Sequence, residues 1–225
     1  MSRSLKYDIP GDDRRLSLAD VLAVGWDELF AKTREPIEGD LSSPRKRVLE
    51  IGFGRGEFLL AMAERSPEVD FVGIEISFKR TLKMARKVAR AKLANVRLLE
   101  ANVQFVLDQL FLPRSLSEIW LNFSDPWPKA RHAHRRVIQP SFAAAAARIL
   151  DRGGSLHVAT DDVRYAHQIG EVLAAEEALF NQYAPWPFLY DVPGRLRTGY
   201  EEQWRAAGRP LHFFAYSTSA AEESR

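Results

Sequence analysis

The chain has 225 residues, 46% of them hydrophobic and 28% charged, which suits one domain with a sizeable core, or one domain plus a short arm. Cysteine is absent, which excludes disulfides, thiolate metal sites and a cysteine nucleophile, and with them the thiolate addition used by enzymes that methylate carbon 5 of a pyrimidine. Net charge is only +2 although the pI is about 8.9, so affinity for a polyanion would have to come from where the cations cluster.

Met1 to Arg15 is polar, without the apolar core of a signal peptide, and no apolar run is long enough to span a bilayer. A cytoplasmic protein with no membrane partner is therefore expected. Residues 1–46 read as an arm and linker. The arm's amphipathic piece, Leu18 to Phe30, carries Leu18, Val21, Leu22, Trp26 and Leu29 at helical spacing. Glu38-Gly39-Asp40 and Ser42-Ser43-Pro44 form the linker.

From Arg47 the pattern alternates. Strands are expected at Val48 to Gly52, Phe71 to Ile76, Val96 to Leu99 and Ile119 to Phe123, with helices at Glu57 to Arg65, Phe78 to Lys92 (markedly basic) and Val103 to Leu110. An alanine-rich helix starts at Pro140, a residue well placed in a first helical turn, and runs to Leu150, where Asp151-Arg152-Gly153-Gly154 ends it. Ser155 to Ala159 makes the next strand, Asp161 and Asp162 are natural caps for a helix to Ala175, and a last strand is expected at Leu211 to Tyr216. Successive β-α units over residues 47–225 imply an α/β fold, a mostly parallel twisted sheet with helices on both faces.

In such sheets ligands bind beyond the carboxyl ends of the strands. Gly52, Gly54 and Gly56 follow the first strand directly, allowing a tight turn and a close approach of backbone to ligand. Glu57 spoils a dinucleotide fingerprint, and Glu50, inside the strand, would repel a pyrophosphate but attract a cationic ligand. Glu75 ends the second strand, where an acid commonly accepts ribose hydroxyls, and the Asn102 amide suits an adenine edge. Together they outline a nucleoside with a cationic tail, S-adenosylmethionine. The plainer alternative is an ordinary glycine turn, a salt-bridged Glu50, and Glu75 and Asn102 as helix caps.

The densest signal is Leu121-Asn122-Phe123-Ser124-Asp125-Pro126-Trp127-Pro128-Lys129, followed by Arg131, His132, His134, Arg135 and Arg136. It sets a carboxylate, a flat aromatic and a phosphate-binding run in one proline-stiffened loop, as a nucleobase on a polyanion requires. A core tryptophan in a turn would not need so many cations, and the run lacks the interleaved acids of ordinary surface charge. His132 and His134 have poor spacing for a metal, and none is expected. Asp161 is either a crevice acid or a helix cap. Thr198-Gly199-Tyr200-Glu201 reads as a lid over the crevice, as a capping box, or as both.

On these segments, with Ala159-Thr160-Asp161, the chain resembles the bacterial tRNA (guanine-N7-)-methyltransferase family, a Rossmann-like class I group, from Arg47 to Tyr216. The resemblance implies S-adenosylmethionine as donor, held by Glu50, the glycine turn, Glu75, Asn102 and Asp125, where the family often has an acid in place of Asn102. It implies substrate contacts at Lys129, Asp161 and Thr198 to Glu201, RNA contacts at Arg131 to Arg136, and a variable-loop guanine of tRNA as acceptor. Asp125 is the expected catalytic residue. Monomer and homodimer both fit. Rival readings are a small-molecule or protein methyltransferase, a non-enzymatic RNA-binding protein and a nicotinamide dehydrogenase.

Overall fold

The computed structural model describes residues 8–33 and 45–220. The linker signals Glu38-Gly39-Asp40 and Ser42-Ser43-Pro44 lie outside the described residues. Among the described residues one eight-stranded sheet organises the fold, in the order β1-β4-β3-β2-β5-β6-β8-β7. Its strands are β1 (Arg15–Leu16), β2 (Arg47–Ile51), β3 (Asp70–Glu75), β4 (Val96–Glu100), β5 (Leu116–Asn122), β6 (Leu150–Thr160), β7 (Phe180–Asn181) and β8 (His212–Ser217). The pairs from β1 through β6 are parallel, and β8 is antiparallel to both β6 and β7. Strand order runs outward in both directions from β2, so the switch point, and with it the ligand crevice, falls at the carboxyl end of β2.

Each face of the sheet is covered by helices whose apolar residues recur at helical spacing. Helices α2 (Glu57–Arg65) and α3 (Phe78–Arg90) lie on one face, burying Leu59, Ala63, Met84, Ala85 and Val88 against Val48, Phe71 and Leu98. On the other, α4 (Val103–Leu110), α5 (Pro140–Ile149) and α6 (Val163–Ala174) cover Leu49, Ile51, Ile119, Leu121 and Leu156. Beyond β5, Val192 and the Trp204 ring of α7 (Gly199–Ala206) pack over Ala159 and Phe213.

Residues 8–33 join this core. Strand β1 pairs with β4, and α1 (Leu18–Ala31) starts at a capping box in which Ser17 and Asp20 bond each other's backbone amides. Gly25, at φ 76° and ψ 166°, breaks the helix in two. The break turns Trp26, Leu29 and Phe30 into the core and leaves Leu22, expected on the apolar face, 56% exposed. Trp26 stacks on Phe111 and its indole N–H donates to the Leu110 carbonyl at 2.7 Å. Losing a ring so placed would cost about 3–5 kcal/mol.

Of the boundaries that differ from the sequence pattern, two have a clear cause. Strand β6 begins at Leu150, as soon as α5 ends, because Leu150 pairs with Leu116 before the register shifts to Glu118 opposite Ser155. Phe123 drops out of β5: its φ is +52°, and the chain turns there into the Asp125 loop.

Candidate active site

The glycine turn follows from where β2 ends. Gly52 has φ +69° and Gly56 +74°, conformations that side chains resist, and a Cβ on Gly56 would meet the Met84 sulfur at 2.1 Å. Glu75 secures the turn from the neighbouring strand. One carboxylate oxygen accepts the Gly54 amide at 3.0 Å, the other the Ser77 amide at 3.0 Å, and Arg80 lies 3.6 Å away. A carboxylate has about four acceptor sites, so two remain for ligand hydroxyls.

Glu50 is buried at the base of the turn. Asn122 donates to its Oε1 at 3.3 Å, while Oε2 is buried without a hydrogen bond. Burial pushes its pKa up to about 7 against the opposing pull of the Asn122 bond, the Leu59 backbone amide and the nearby Arg195. A carboxylate oxygen left unpaired in so dry a place is costly unless a donor arrives. A sulfonium nucleoside's ammonium would supply one, so these residues fit S-adenosylmethionine. Asn102 caps α4, accepting the Gln104 amide at 3.1 Å through Oδ1, which leaves its amide nitrogen to donate. Beside these groups, Ile76 is 67% and Phe105 74% exposed. Their apolar surfaces lie beside the ends of β3 and β4.

Asp125 stands at the next strand end, exposed, with Oδ1 accepting the Trp127 amide at 3.0 Å. Two non-glycine residues with positive φ, Phe123 at 52° and Trp127 at 43°, flank it. Strain of this kind persists only where surroundings enforce it, and here Arg136 does so. Its guanidinium donates to the Pro126 carbonyl at 2.7 Å and to Gln168 of α6 at 2.5 Å, and lies over the Tyr165 ring. Arg136 is 7% exposed, so the expected RNA contact is corrected at this one position: its charge is spent inside the protein. Lys129, Arg131, His134 and Arg135 are exposed, in or just before a 3-10 helix (Ala130–Arg135). Arg135 also covers the Trp127 ring at 4.9 Å, and His132 meets that ring edge-on.

The tail closes the far side. Thr198 caps α7, accepting the Glu201 amide at 3.0 Å. The reciprocal half of the expected capping box is replaced, because the buried Glu201 carboxylate instead accepts from Arg195 and, at 3.1 Å, from Arg205. Arg195 also donates to the Asn122 side chain. Its guanidinium lies over the rings of Phe58, Trp120 and Phe213. A continuous chain of polar contacts thus runs from Glu50 through Asn122 and Arg195 to Glu201. Behind Arg195 lies a cavity of about 260 Å³, lined by Trp120, His157 and Tyr183 among others, and apart from Glu50, Glu75 and Asp125. His157 stacks on Trp120 at 4.0 Å, and burial, aided by Arg195, lowers its pKa to about 4.

At the end of β6, capping falls to Asp162, which accepts the Tyr165 amide at 2.8 Å. The half-buried Asp161 is left uncommitted to the cap and pairs with Arg209 at 3.1 Å. Of the predicted site residues, Glu75 and Gly54 bond each other, while Glu50 is tied to Glu201, and through it to Thr198, by way of Asn122 and Arg195. Arg195 itself was missed as a site residue; nothing in its local sequence marks it. Among the described residues no cluster of three potential metal ligands occurs, and no helix is long and apolar enough to cross a membrane.

Comparisons with known proteins bear on the fold and the family. A family model described as "Putative methyltransferase" matches residues 44–214. A curated tRNA (guanine-N(7)-)-methyltransferase of Thermotoga maritima is 35% identical over 184 residues, 82% of this chain and 54% of that protein. The chain thus spans about half of that relative's length. The protein of the same name from Nitrosomonas europaea is 35% identical over 193 residues, 84% of each chain. Among solved structures, 16S rRNA methyltransferase KamB matches with a TM-score of 0.60, covering 86% of this chain and 94% of that one. At 18% identity that likeness speaks for the fold, Rossmann-like class I, and not for the substrate.

Proposed function

The chain belongs to the tRNA (guanine-N7-)-methyltransferase family, and from that membership we propose that it methylates N7 of a guanine in tRNA with S-adenosylmethionine as donor. The observation that carries the reading is the buried, unbonded Oε2 of Glu50 beneath the glycine turn, taken together with a strained loop that presents an acid, Asp125. When bound, the donor supplies an electrophilic methyl group on a cationic sulfur. Glu50 accepts the ammonium of its amino-acid tail, Glu75 takes ribose hydroxyls with its remaining acceptor sites, and the Asn102 amide nitrogen donates to the adenine edge.

Guanine N7 carries a free lone pair at neutral pH, so no proton has to leave before attack and no strong general base is required. The protein's task is alignment of the base with the methyl carbon, worth about 7–11 kcal/mol when geometry is good. Asp125 orients the base, and its negative charge interacts more strongly as the ring becomes cationic. Asp161 accepts hydrogen bonds from the Watson–Crick edge. Glu201, held by Arg195 and Arg205, fixes the floor under that edge. Lys129, Arg131 and Arg135 take phosphates. A stacked guanine must swing out to enter, and we assign the Trp127 and Tyr200 rings to receive it.

The test is incubation of the purified protein with labelled S-adenosylmethionine and unmodified bulk tRNA, followed by nucleoside analysis. The expected product is 7-methylguanosine. Donor binding without any label in tRNA would overturn the assignment in favour of a small-molecule or protein acceptor.

A further inference from the structure

The 3-10 helix after Asp125 accounts for only part of the chain's clustered positive charge. Helix α3 carries Lys79, Arg80, Lys83, Arg86, Lys87 and Arg90 and not one acid. Its buried residues, Leu82, Met84, Ala85 and Val88, take the opposite side. Lys79, Lys83, Arg86 and Arg90 recur at helical spacing and so form one stripe, about 16 Å long at 1.5 Å per residue. Arg80 pairs with Glu75, and Arg86 donates to the Asp8 carbonyl. Lys79, Lys83 and Arg90 are exposed, and no carboxylate pairs with them among the described residues. Ordinary solvated helix faces interleave both signs; this one does not.

The stripe is continuous with the site. Lys87 donates to the Arg55 carbonyl at 2.8 Å, inside the glycine turn, and the Arg55 guanidinium lies 5.6 Å from the centre of the Tyr200 ring. Tyr200 is in the first turn of α7, and its neighbour Gly199 sits so close to α2 that a Cβ there would lie 2.5 Å from Glu57 Oε2. Cations therefore run from the mouth of the crevice, over Arg55, and down the α2–α3 face of the sheet. The 3-10 helix lies on the other face, bound to α4 through Gln104 and to α6 through Gln168.

We propose that the exposed face of α3, continued by Arg55, is a second docking track for the phosphate backbone of the RNA substrate. Resting on the function proposed above, it deepens that reading: the acceptor is a folded RNA gripped from both faces of the sheet around the crevice. A short single strand would need one basic patch; two patches on opposite faces fit a molecule wide enough to straddle the strand ends. Phosphate contacts of this kind fix register without reading sequence.

The experiment compares two triple variants of the full chain. K79Q/K83Q/R90Q removes the unpaired cations of α3. K32Q/K46Q/R114Q removes the same charge from exposed positions at the end of α1 and ahead of β2 and β5, away from the crevice. Binding of unmodified tRNA is measured across a salt series, with donor affinity and 7-methylguanosine formation at saturating tRNA as controls. The α3 variant should bind tRNA about tenfold more weakly at low salt, with a log–log salt slope shallower by about 2–3, as loss of three phosphate contacts requires. Its donor affinity and saturated turnover should stay within twofold, and the other variant should keep the wild-type slope. Wild-type slope in the α3 variant, or equal weakening in both variants, would overturn the track. Wild-type protein that neither binds nor methylates tRNA would overturn the proposed function, and the track with it.

Discussion

The two halves of the crevice are built differently. The half assigned to the donor comes from consecutive strand-turn-helix units between Arg47 and Leu110, with Glu50 inside β2 and its other groups in the turn, at a strand end or at a helix cap. Glu75 bonding the Gly54 amide crosses one strand pair and 21 positions of sequence. The half assigned to the acceptor is drawn from four separate places: the Asp125 loop, the end of β6, the segment before α7, and α7 itself. Its defining contact, Arg195 to Asn122, spans 73 positions. A site of the first kind forms wherever the fold forms, whereas the second kind needs the whole tertiary structure to be right.

That contrast can be broken or sharpened by mutation. Asp125→Ala should act on the acceptor half alone, lowering turnover by about a hundredfold or more, with donor affinity changed a few-fold at most and the melting temperature preserved. Turnover within a few-fold of wild type would remove Asp125 from the chemistry. Glu50→Gln is the converse. Replacing a charge-assisted bond should weaken donor binding about 10- to 100-fold, the ~1.5–3 kcal/mol such bonds contribute.

Glu50 also carries a pH signature. Its folded pKa is raised from 4.5 to about 7. The folded state therefore binds the extra proton, and this contribution to stability is present below pH 4.5 and lost as pH rises through about 7. A cationic donor needs the ionised form, so donor affinity should climb with pH and level off above about 7, measured by titration calorimetry. The Gln variant should lose that dependence. A flat wild-type profile would mean that Glu50 does not meet the donor's charge.

Arg195→Lys is the subtlest. Lysine keeps the charge but not the planar fork that reaches Asn122 and Glu201 together. Turnover should fall about tenfold while donor affinity stays within threefold, as expected of a group that positions others. Wild-type turnover would show that the two halves are not coupled through it.

The sequence made the first half legible because its signals are local. Glycines after a strand, acids at strand ends and a proline-bracketed tryptophan each constrain their own few residues. Even there, exposure needed the fold: nothing in the helical spacing of α1 shows that Gly25 would rotate Leu22 outward. Adjacent residues also divided unpredictably, Asp162 taking the cap and Asp161 the salt bridge to Arg209. The basic run after Asp125 reads as one patch in sequence. In space its last member, Arg136, turns inward to hold the loop, since the carbonyls of a strained turn need a donor.

The order and type of residues alone determined an α/β sheet with a crevice at the end of β2, the acids around it and the family to which the chain belongs. Periodicity and strand-end position are short-range facts. Only the tertiary structure decided that Glu50 would be left with a buried, unpaired oxygen, that Arg195 would join donor side to acceptor side, and that Glu201 would spend its carboxylate on arginines. Those outcomes depend on desolvation and on which distant groups arrive within hydrogen-bonding reach, and neither is encoded in any single segment.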